Sequence, residues 1–261
     1  MVVSTPSAFP TPPMFRKMAD KTATAWREED SALFIAEGDV FVPERLLQIR
    51  TICDAIPVPA GEYKILELCC GEGLLSLALL ERFPELQMHA FDGSELMLES
   101  TRKSCAAYSD RLTTHRFDIH EDIWRKTKWQ ADAIVSSLAI HHLDGSEKQR
   151  LYRDLIGMLK PGGVIVIADL MAPTRAEGQF LAAQMWDEIA EATAISKADP
   201  DAFERFQNEN WNFYADPNPD PIDKPSGLHD QLNWLVAAGF ADTDVHWLKA
   251  AHAIFSARKP D

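Results

Sequence analysis

The stretch Ile65-Leu66-Glu67-Leu68-Cys69-Cys70-Gly71-Glu72-Gly73 decides the fold. It is an apolar run of strand length that passes into a glycine-containing turn, and helical periodicity follows it. Glycine lets the backbone turn sharply and approach a ligand, and open α/β sheets bind ligands at the carboxyl ends of their strands. The stretch therefore predicts a first strand followed by a ligand-binding turn. A tight strand-to-helix turn without any ligand is the alternative interpretation.

Apolar runs alternate with amphipathic helices after this turn. The predicted strands are Lys64–Leu68, Gln87–Phe91, Leu112–Phe117, Ala131–Leu138 and Val164–Leu170. The predicted helices between them are Leu74–Phe83, Ser94–Ala107, His120–Lys128 and Glu147–Leu159. Because each parallel crossover needs a helix, this order predicts an α/β fold with a doubly wound, mostly parallel sheet.

Additional segments precede and follow the part of the chain in which strands and helices alternate. Residues 1–13 are rich in Pro, Ser and Thr and are expected to be a disordered tail, while residues 14–56 form an N-terminal helical element. The main domain spans residues 57–261, with a helical cap inserted at 171–227. The predicted cap helices are Ala176–Ser196 and Pro200–Phe213, and a helix, Leu228–Ala238, precedes a hairpin of Thr243–Leu248 and Ala251–Ala257.

The composition of the chain argues against nucleic acids and membranes as binding partners. The chain has 261 residues, 26 Lys+Arg and 40 Asp+Glu, so its formal net charge is −14. Such a surface repels polyphosphate, so we expect no direct binding of nucleic acid. No apolar run has transmembrane length, the N-terminus does not resemble a secretory signal, and the four cysteines lack C-x-x-C spacing. We therefore expect a reduced, cytoplasmic protein without a membrane partner.

The glycine turn differs from a dinucleotide fingerprint in two respects. Ser76 stands where that fingerprint needs a third glycine for close helix packing. Glu67 and Glu72 place negative charge where a pyrophosphate would bind. The turn is better suited to a ligand without phosphate.

Two further strands end in carboxylates. Asp92, in Phe91-Asp92-Gly93-Ser94, follows the glycine turn by about twenty residues, the spacing at which a carboxylate accepts hydrogen bonds from a ribose. Asp118 and Ile119 follow the third strand, where a carboxylate could take an adenine amino group while Ile119 packs on the ring. A helix N-cap is the alternative role for Asp118.

Two further motifs follow along the chain: Asp132 to Leu143 with its His-His pair, and Leu159-Lys160-Pro161-Gly162-Gly163. Together, the motifs resemble those of class I S-adenosylmethionine-dependent methyltransferases. The resemblance covers roughly residues 60 to 170. It implies a Rossmann-like, seven-stranded sheet of order 3-2-1-4-5-7-6, with strand seven antiparallel. The family's first motif often starts with glycine where this chain has Cys69, a mild departure. The Lys160–Gly163 turn is expected to be structural, because it lies at the opposite end of the sheet.

The resemblance also implies a binding site for S-adenosyl-L-methionine, whose product is S-adenosyl-L-homocysteine. The turn would contact the methionine part, Asp92 with Gly93 the ribose, and the two residues after strand three the adenine. Residues ending strand four would line the side of methyl transfer. The implied cofactor-binding residues are Glu67, Cys69, Gly71, Gly73, Asp92, Gly93, Met97, Asp118, Ile119, Ser137 and Leu138.

Methyl transfer from a sulfonium is an in-line displacement, so the protein mainly aligns the reactants and excludes water. A base is needed only when the acceptor arrives protonated. His141 and His142 follow strand four, and histidine suits proton transfer near neutral pH. His141 stands where plant small-molecule O-methyltransferases place their base in a similar I-x-H motif. A packing histidine is the alternative for one of the pair.

The N-terminal element and the cap are aromatic-rich, which suits an apolar or planar small substrate, although these rings could instead attach the cap to the sheet. The aromatic residues are Trp26, Phe34, Phe41, Trp186, Trp211, Phe213 and Tyr214. Arg45 could pair with the cofactor carboxylate, with a structural role as the alternative. The other histidines considered, His229, His246 and His252, are scattered, so we expect no metal site.

The sequence therefore predicts an enzyme that methylates an oxygen or nitrogen of a small organic molecule, with a homodimer possible. Three alternatives remain open. They are a carboxy-S-adenosylmethionine synthase-like enzyme of tRNA modification, a NAD-dependent oxidoreductase, disfavoured by Ser76 and Glu67, and a non-catalytic S-adenosylmethionine-binding regulatory module.

Overall fold

The computed structural model describes residues 26–57, 61–126 and 129–261. The predicted tail at 1–13 and the first part of the predicted N-terminal element, 14–25, lie outside the described residues.

Seven strands form one sheet of order β3-β2-β1-β4-β5-β7-β6, which confirms the order implied by the sequence. The strands are β1 (Tyr63–Leu68), β2 (Leu86–Asp92), β3 (Leu112–Arg116), β4 (Ala131–Ser137), β5 (Leu159–Leu170), β6 (Ala241–Lys249) and β7 (His252–Arg258). The pairs among β1 to β5 are parallel, and β7 runs antiparallel to β5 and to β6. The carboxyl ends of β1 to β5 therefore meet at one edge.

Eight α-helices connect or cover the strands within the described ranges. They are α1 (Glu28–Phe41), α2 (Arg45–Ala55), α3 (Leu74–Arg82), α4 (Glu95–Ser104), α5 (Gly145–Met158), α6 (Ala176–Ser196), α7 (Asp201–Asn208) and α8 (Leu228–Ala237). The chain turns between α1 and α2 at Glu44, which has φ of 50°. None of the helices that the structure describes is long and apolar enough to cross a bilayer.

The sheet is buried on both faces because its strands alternate between two apolar clusters. Leu66 and Leu68 of β1 belong to a cluster that includes Tyr152 of α5, whereas Ile65 belongs to one that includes Leu79 of α3. Alternate side chains of a strand point to opposite faces, so a strand covered on both sides is apolar throughout. This explains the continuous apolar runs in the sequence.

Two predicted helices differ from the structure. The prediction of a helix over His120–Lys128 was wrong, because the segment holds only a 3-10 turn at Ile123–Arg125 and residues 127–128 lie outside the described ones. The backbone N–H of His120 instead donates to Asp118 Oδ1 at 2.9 Å, which closes an Asx turn. The helix predicted over Pro200–Phe213 ends at Asn208, and Asn210 adopts φ of 49° soon after it.

The Lys160–Gly163 turn lies within β5 and interrupts its pairing with β4. Ala131 pairs with Leu159 and Ala133 with Val164, so an irregularity of several residues separates the two pairs. Gly162 has φ of 72° there. The interruption lies at the amino end of β5, opposite the edge where the carboxyl ends meet, and it acts as a structural feature.

The glycine turn between β1 and α3 needs glycine at two positions for different reasons. Gly71 has φ of 56° and Gly73 has φ of 88°, a region that disfavours residues with a Cβ. A Cβ on Gly73 would lie 2.8 Å from the Cα of Thr101, whereas a Cβ on Gly71 would meet no atom within 4 Å. Gly73 is therefore fixed by packing, and Gly71 borders open space.

Comparing Gly73→Ala with Gly71→Ala tests this distinction. Gly71→Ala should lower the free energy of unfolding by about 1–2 kcal/mol, the cost of a left-handed backbone. Gly73→Ala should lower it by a further 1–3 kcal/mol or so, because the new methyl group overlaps backbone. Urea unfolding followed by circular dichroism measures both values. Equal losses would show that Thr101 does not constrain the turn.

Candidate active site

The carboxyl end of β2 holds the glycine turn in place through Asp92. Its Oδ2 accepts the backbone N–H of Gly71 at 2.9 Å, and its Oδ1 accepts that of Ser94 at 2.9 Å. Burial raises the pKa of Asp92, while these backbone donors and that of Gly93 oppose the rise. A carboxylate offers about four lone-pair directions, and the backbone N–H groups of Gly71, Ser94 and Gly93 use three of them, so one direction remains for a ligand.

Glu67 lies in the protein interior beneath the turn. It is 1% exposed, and one carboxyl oxygen accepts the hydroxyl of Ser76. Burial raises the pKa of Glu67 to about 8, with the Ser76 bond opposing and the charge of Asp92 adding to the rise. Ser76, the departure from a dinucleotide fingerprint, is thus the partner that holds this carboxyl group. The structure gives Glu67 a supporting place behind the turn.

Arg45 is paired within the protein. Its Nη2 lies 2.6 Å from Glu72 Oε1 and its Nη1 3.7 Å from Asp39, and its guanidinium stacks on Phe34 at 4.7 Å from the ring centroid. The arginine therefore connects the start of α2 to the glycine turn. Glu72, which separates the two glycines, is neutralised by this contact.

The residues expected around an adenine and ribose lie around the ends of β2 and β3. Met97 is buried on the first turns of α4, and Ile119 packs against the core beside the exposed Asp118. The start of α1 reaches the same place, because Glu28 Oε2 accepts the hydroxyl of Ser94 at 2.7 Å. The N-terminal element therefore covers this edge of the sheet.

β4 ends in a backbone turn that positions the histidine pair. Ser137 ends the strand, Leu138 has φ of 56°, and a 3-10 turn spans Ile140–His142. Ser137 and Leu138 are partly exposed, and Leu138 and His141 both line the same cavity. This geometry aims His141 across the end of β4 toward β5.

His141 lies between two carboxylates. Its Nδ1 is 2.5 Å from Oδ1 of the fully buried Asp169, and its Nε2 is 3.4 Å from Asp223 Oδ1. Burial alone would lower the pKa of His141, but the two carboxylates raise it to about 10. The bond to Asp169 fixes the ring so that Nε2 faces the cavity side. A histidine oriented by a carboxylate is the arrangement that general bases use.

The loop that carries Asp223 is held against the sheet by α5. The ammonium group of the buried Lys148 donates to the backbone oxygen of Lys224 at 2.5 Å and to Ser226 Oγ at 2.8 Å. The backbone N–H of Lys224 donates to the carbonyl of His141 at 2.7 Å. Burial lowers the pKa of Lys148 to about 8, with Asp169 and Asp144 opposing.

A cavity of about 160 Å³ extends from His141 to the aromatic residues of α1 and of the segment after β5. It is about as large as an engineered cavity of about 150 Å³ that binds benzene. Its aromatic lining consists of Trp26, Phe34, Trp186, Trp211 and Phe213. Phe41 and Tyr214 are buried instead, and the Tyr214 hydroxyl lies within hydrogen-bond distance of the carbonyl oxygens of Met171 and Ala251, to one of which it donates. Some of the aromatic residues therefore line the cavity, and the others are buried in the protein core.

The sequence did not identify three residues that contact His141 or line the cavity. Asp169 ends a predicted strand at the same edge as His141, so its position could have indicated its contact. Asp223 lies in a proline-rich loop without periodicity, and no local signal marks it. His252 lines the cavity and meets Trp186 edge-on at 4.4 Å, and burial lowers its pKa to about 4.

This chain is similar to known methyltransferases over part of its length. Residues 65–163 match the sequence model of a family described as "Methyltransferase domain". An uncharacterized methyltransferase of Mycobacterium tuberculosis is 31% identical over 123 residues, which are 46% of this chain and 57% of that protein. A trans-aconitate 2-methyltransferase of Acidovorax ebreus is 34% identical over 159 residues, 58% of this chain and 57% of that protein. This chain therefore spans little more than half the length of these relatives.

Other relatives are named as methyltransferases of ribosomal RNA and of transfer RNA. Among solved structures, an O-methyltransferase family protein from Burkholderia thailandensis has a TM-score of 0.63 at 15% identity, covering 91% of this chain and 62% of that one. At such low identity the likeness shows the fold.

Replacing Lys148 with Met tests the contact between α5 and the loop that carries Asp223. The readout is the pH dependence of the free energy of unfolding. The pKa of Lys148 is lower in the folded protein than the ordinary 10.5, so the unfolded chain binds more protons between pH 8 and 10.5. The unfolding free energy of the wild type should therefore rise relative to that of Lys148→Met across this range, by at most about 1.4 kcal/mol per pH unit. Urea unfolding at several pH values gives the difference.

Lys103→Met, which removes an exposed lysine, provides the matched control measured at the same pH values. A pH-independent difference for Lys148→Met would contradict the burial of a titrating ammonium group.

Proposed function

We propose that the chain is a class I S-adenosylmethionine-dependent methyltransferase that transfers the methyl group to an oxygen or nitrogen of a small, planar organic molecule. The observation that carries this proposal is the His141–Asp169 pair at the floor of an aromatic cavity. The pair lies at the sheet edge that also carries the glycine turn and Asp92.

We propose that the cofactor lies across the carboxyl ends of β1, β2 and β4. The lone-pair direction that remains on Asp92 suits a ribose hydroxyl, and the open space beside Gly71 admits the methionine part. The residues proposed to contact the cofactor are Cys69, Gly71, Gly73, Asp92, Gly93, Met97, Asp118, Ile119, Ser137 and Leu138. Glu67 and Arg45 would not contact the cofactor. Glu67 would support the glycine turn through its bond to Ser76, and Arg45 through its ion pair with Glu72.

The acceptor would occupy the cavity above His141. When bound, the cofactor would supply the methyl group, and Nε2 of neutral His141 would accept the hydroxyl or amine proton of the acceptor. Because Asp169 and Asp223 raise the pKa of His141 to about 10, the neutral imidazole forms more readily when the acceptor displaces Asp223, which now lies 3.4 Å from Nε2. The charge of the imidazolium that forms is balanced by the buried Asp169.

The cavity favours a small molecule over the nucleic acids of some relatives. Its lining includes the carboxylates Asp30, Glu209, Asp220 and Asp223, whereas its arginine, Arg27, is paired with Asp30. Such a lining repels a phosphate backbone, as does the net charge of −14. The same lining disfavours a polycarboxylate such as the substrate in the name of the Acidovorax relative. A neutral or cationic ring suits the cavity better.

Replacing Asp92 with Ala should weaken the binding of S-adenosyl-L-homocysteine about 100-fold or more. The change removes a ribose hydrogen bond to a charged acceptor, which contributes about 1.5–3 kcal/mol, and it also removes the carboxylate that holds the N–H groups of Gly71 and Ser94 in place. Isothermal titration calorimetry measures the affinity, and thermal unfolding checks that the variant folds. Asp110→Ala, at an exposed position, should bind like the wild type. Unchanged affinity in Asp92→Ala would remove this residue from the site.

Replacing His141 with Gln should lower kcat by about 100-fold or more, the usual contribution of a general base, with little change in cofactor affinity. Release of S-adenosyl-L-homocysteine is measured on phenols and arylamines accepted by the wild type. The exposed His229→Gln should retain the full rate. Full activity of His141→Gln would end its role as base, and a wild type that binds the cofactor but methylates nothing would favour a regulatory module.

A further inference from the structure

We infer that the side chains of His141, His142 and Asp223 form a binding site for one divalent transition-metal ion of the zinc type. The ligand atoms that these residues offer lie within 4.8 Å of one another. The site lies beside the proposed cofactor position, beyond the end of β4 and on the loop held by Lys148, and it shares His141 with the proposed base. Only its effect on turnover depends on the proposed function.

The separations between the ligand atoms suit a metal ion. Asp223 Oδ1 is 3.4 Å from His141 Nε2 and 3.1 Å from His142 Nδ1. Bonds of about 2.0–2.2 Å from nitrogen and oxygen to zinc, arranged tetrahedrally, place neighbouring ligand atoms a little over 3 Å apart. The two imidazoles therefore converge on one carboxylate at nearly the spacing of a coordination shell, and small side-chain rotations bring the third separation into range.

The ring of His142 supplies an independent observation. Its Nδ1 is buried and has no hydrogen-bond partner of acceptable geometry, although it lies beside Asp223. An unsatisfied buried nitrogen costs free energy, so it calls for an explanation such as an ion or a water. The ring of Trp26, 5.6 Å from that of His142 between centroids, covers the site on one side. A bound ion would satisfy the nitrogen.

Asp169 supports the same assignment. A histidine that binds a metal through one ring nitrogen almost always donates the other ring N–H to a carboxylate or carbonyl. Here Nδ1 of His141 lies 2.5 Å from the buried Asp169, which leaves Nε2 directed at Asp223. This is the ring orientation that coordination through Nε2 requires.

The ligand set predicts which ions bind. Imidazole favours Zn²⁺, Co²⁺ and Ni²⁺ over Mg²⁺ and Ca²⁺, which prefer oxygen ligands. The carboxylates Asp220 and Glu209, which line the adjoining cavity, add negative charge that attracts a cation. Coordination releases any proton from Nε2 of His141 to solvent. Metal binding and proton acceptance are therefore mutually exclusive states of His141, and the ion would inhibit methyl transfer.

Cobalt provides a direct test, because Co²⁺ bound to nitrogen and oxygen ligands absorbs visible light. The full-length chain, freed of metal with a chelator, is titrated with Co²⁺ and then with Zn²⁺. We expect one equivalent of Co²⁺ to bind with a visible absorption band and Zn²⁺ to displace it. His142→Asn should weaken binding about 100-fold or more, and Asp169→Asn about 10- to 100-fold, the range for groups that orient a ligand.

His229→Asn changes an exposed histidine outside the cluster and should bind Co²⁺ like the wild type. No absorption band in the wild type would overturn the proposal, as would equal affinity in His142→Asn. X-ray absorption of the Zn²⁺-loaded wild type must show two imidazole ligands, and this measurement decides the matter if the variants fail to fold. Cobalt bound in a wild type that methylates no acceptor would leave the metal site intact and contradict the proposed function alone.

Discussion

The parallel pairing of β1 with β2 and β4 is the constraint on which the site depends. Because these strands run in one direction, the glycine turn, Asp92 and the histidine pair all follow strand ends at one edge. The register then sets their spacing, since Leu68 pairs with both Phe91 and Ser136. Ser136 strengthens the arrangement by donating its hydroxyl to the carbonyl of Leu68 at 3.1 Å.

The sheet and the residues at its strand ends were predictable from the sequence, because both depend on local patterns. Apolar runs that alternate with amphipathic helices indicate parallel strands, and a glycine turn or an aspartate at the end of a run marks the ligand edge. The helix predicted over His120–Lys128 was wrong because Asp118 captures the backbone N–H of His120 locally. Local side-chain bonds of this kind compete with a helix without altering the apolar pattern.

The partners of the site residues could not be predicted, because they come from segments far apart in sequence. Arg45 meets Glu72, Glu28 meets Ser94, and the loop with Asp223 reaches His141 only because Lys148 holds it. A buried ammonium group between a carbonyl and a hydroxyl leaves no periodic signal. Its position on the inner face of an amphipathic helix resembles that of any core residue.

The methyl acceptor of this chain cannot be deduced from the names of its relatives. The family match ends at Gly163, so it includes the glycine turn, Asp92, Asp118 and His141 but neither Asp169 nor Asp223. Asp169 near the end of β5 and Asp223 in the loop before α8, which both lie beside His141, are outside the match, as are the aromatic cavity residues. Relatives named for tRNA, rRNA or a small acid are similar to this chain over the matched part, whereas the residues around the cavity lie mostly outside it. Which acceptor enters here is decided by the charge and shape of residues that the shared region does not contain.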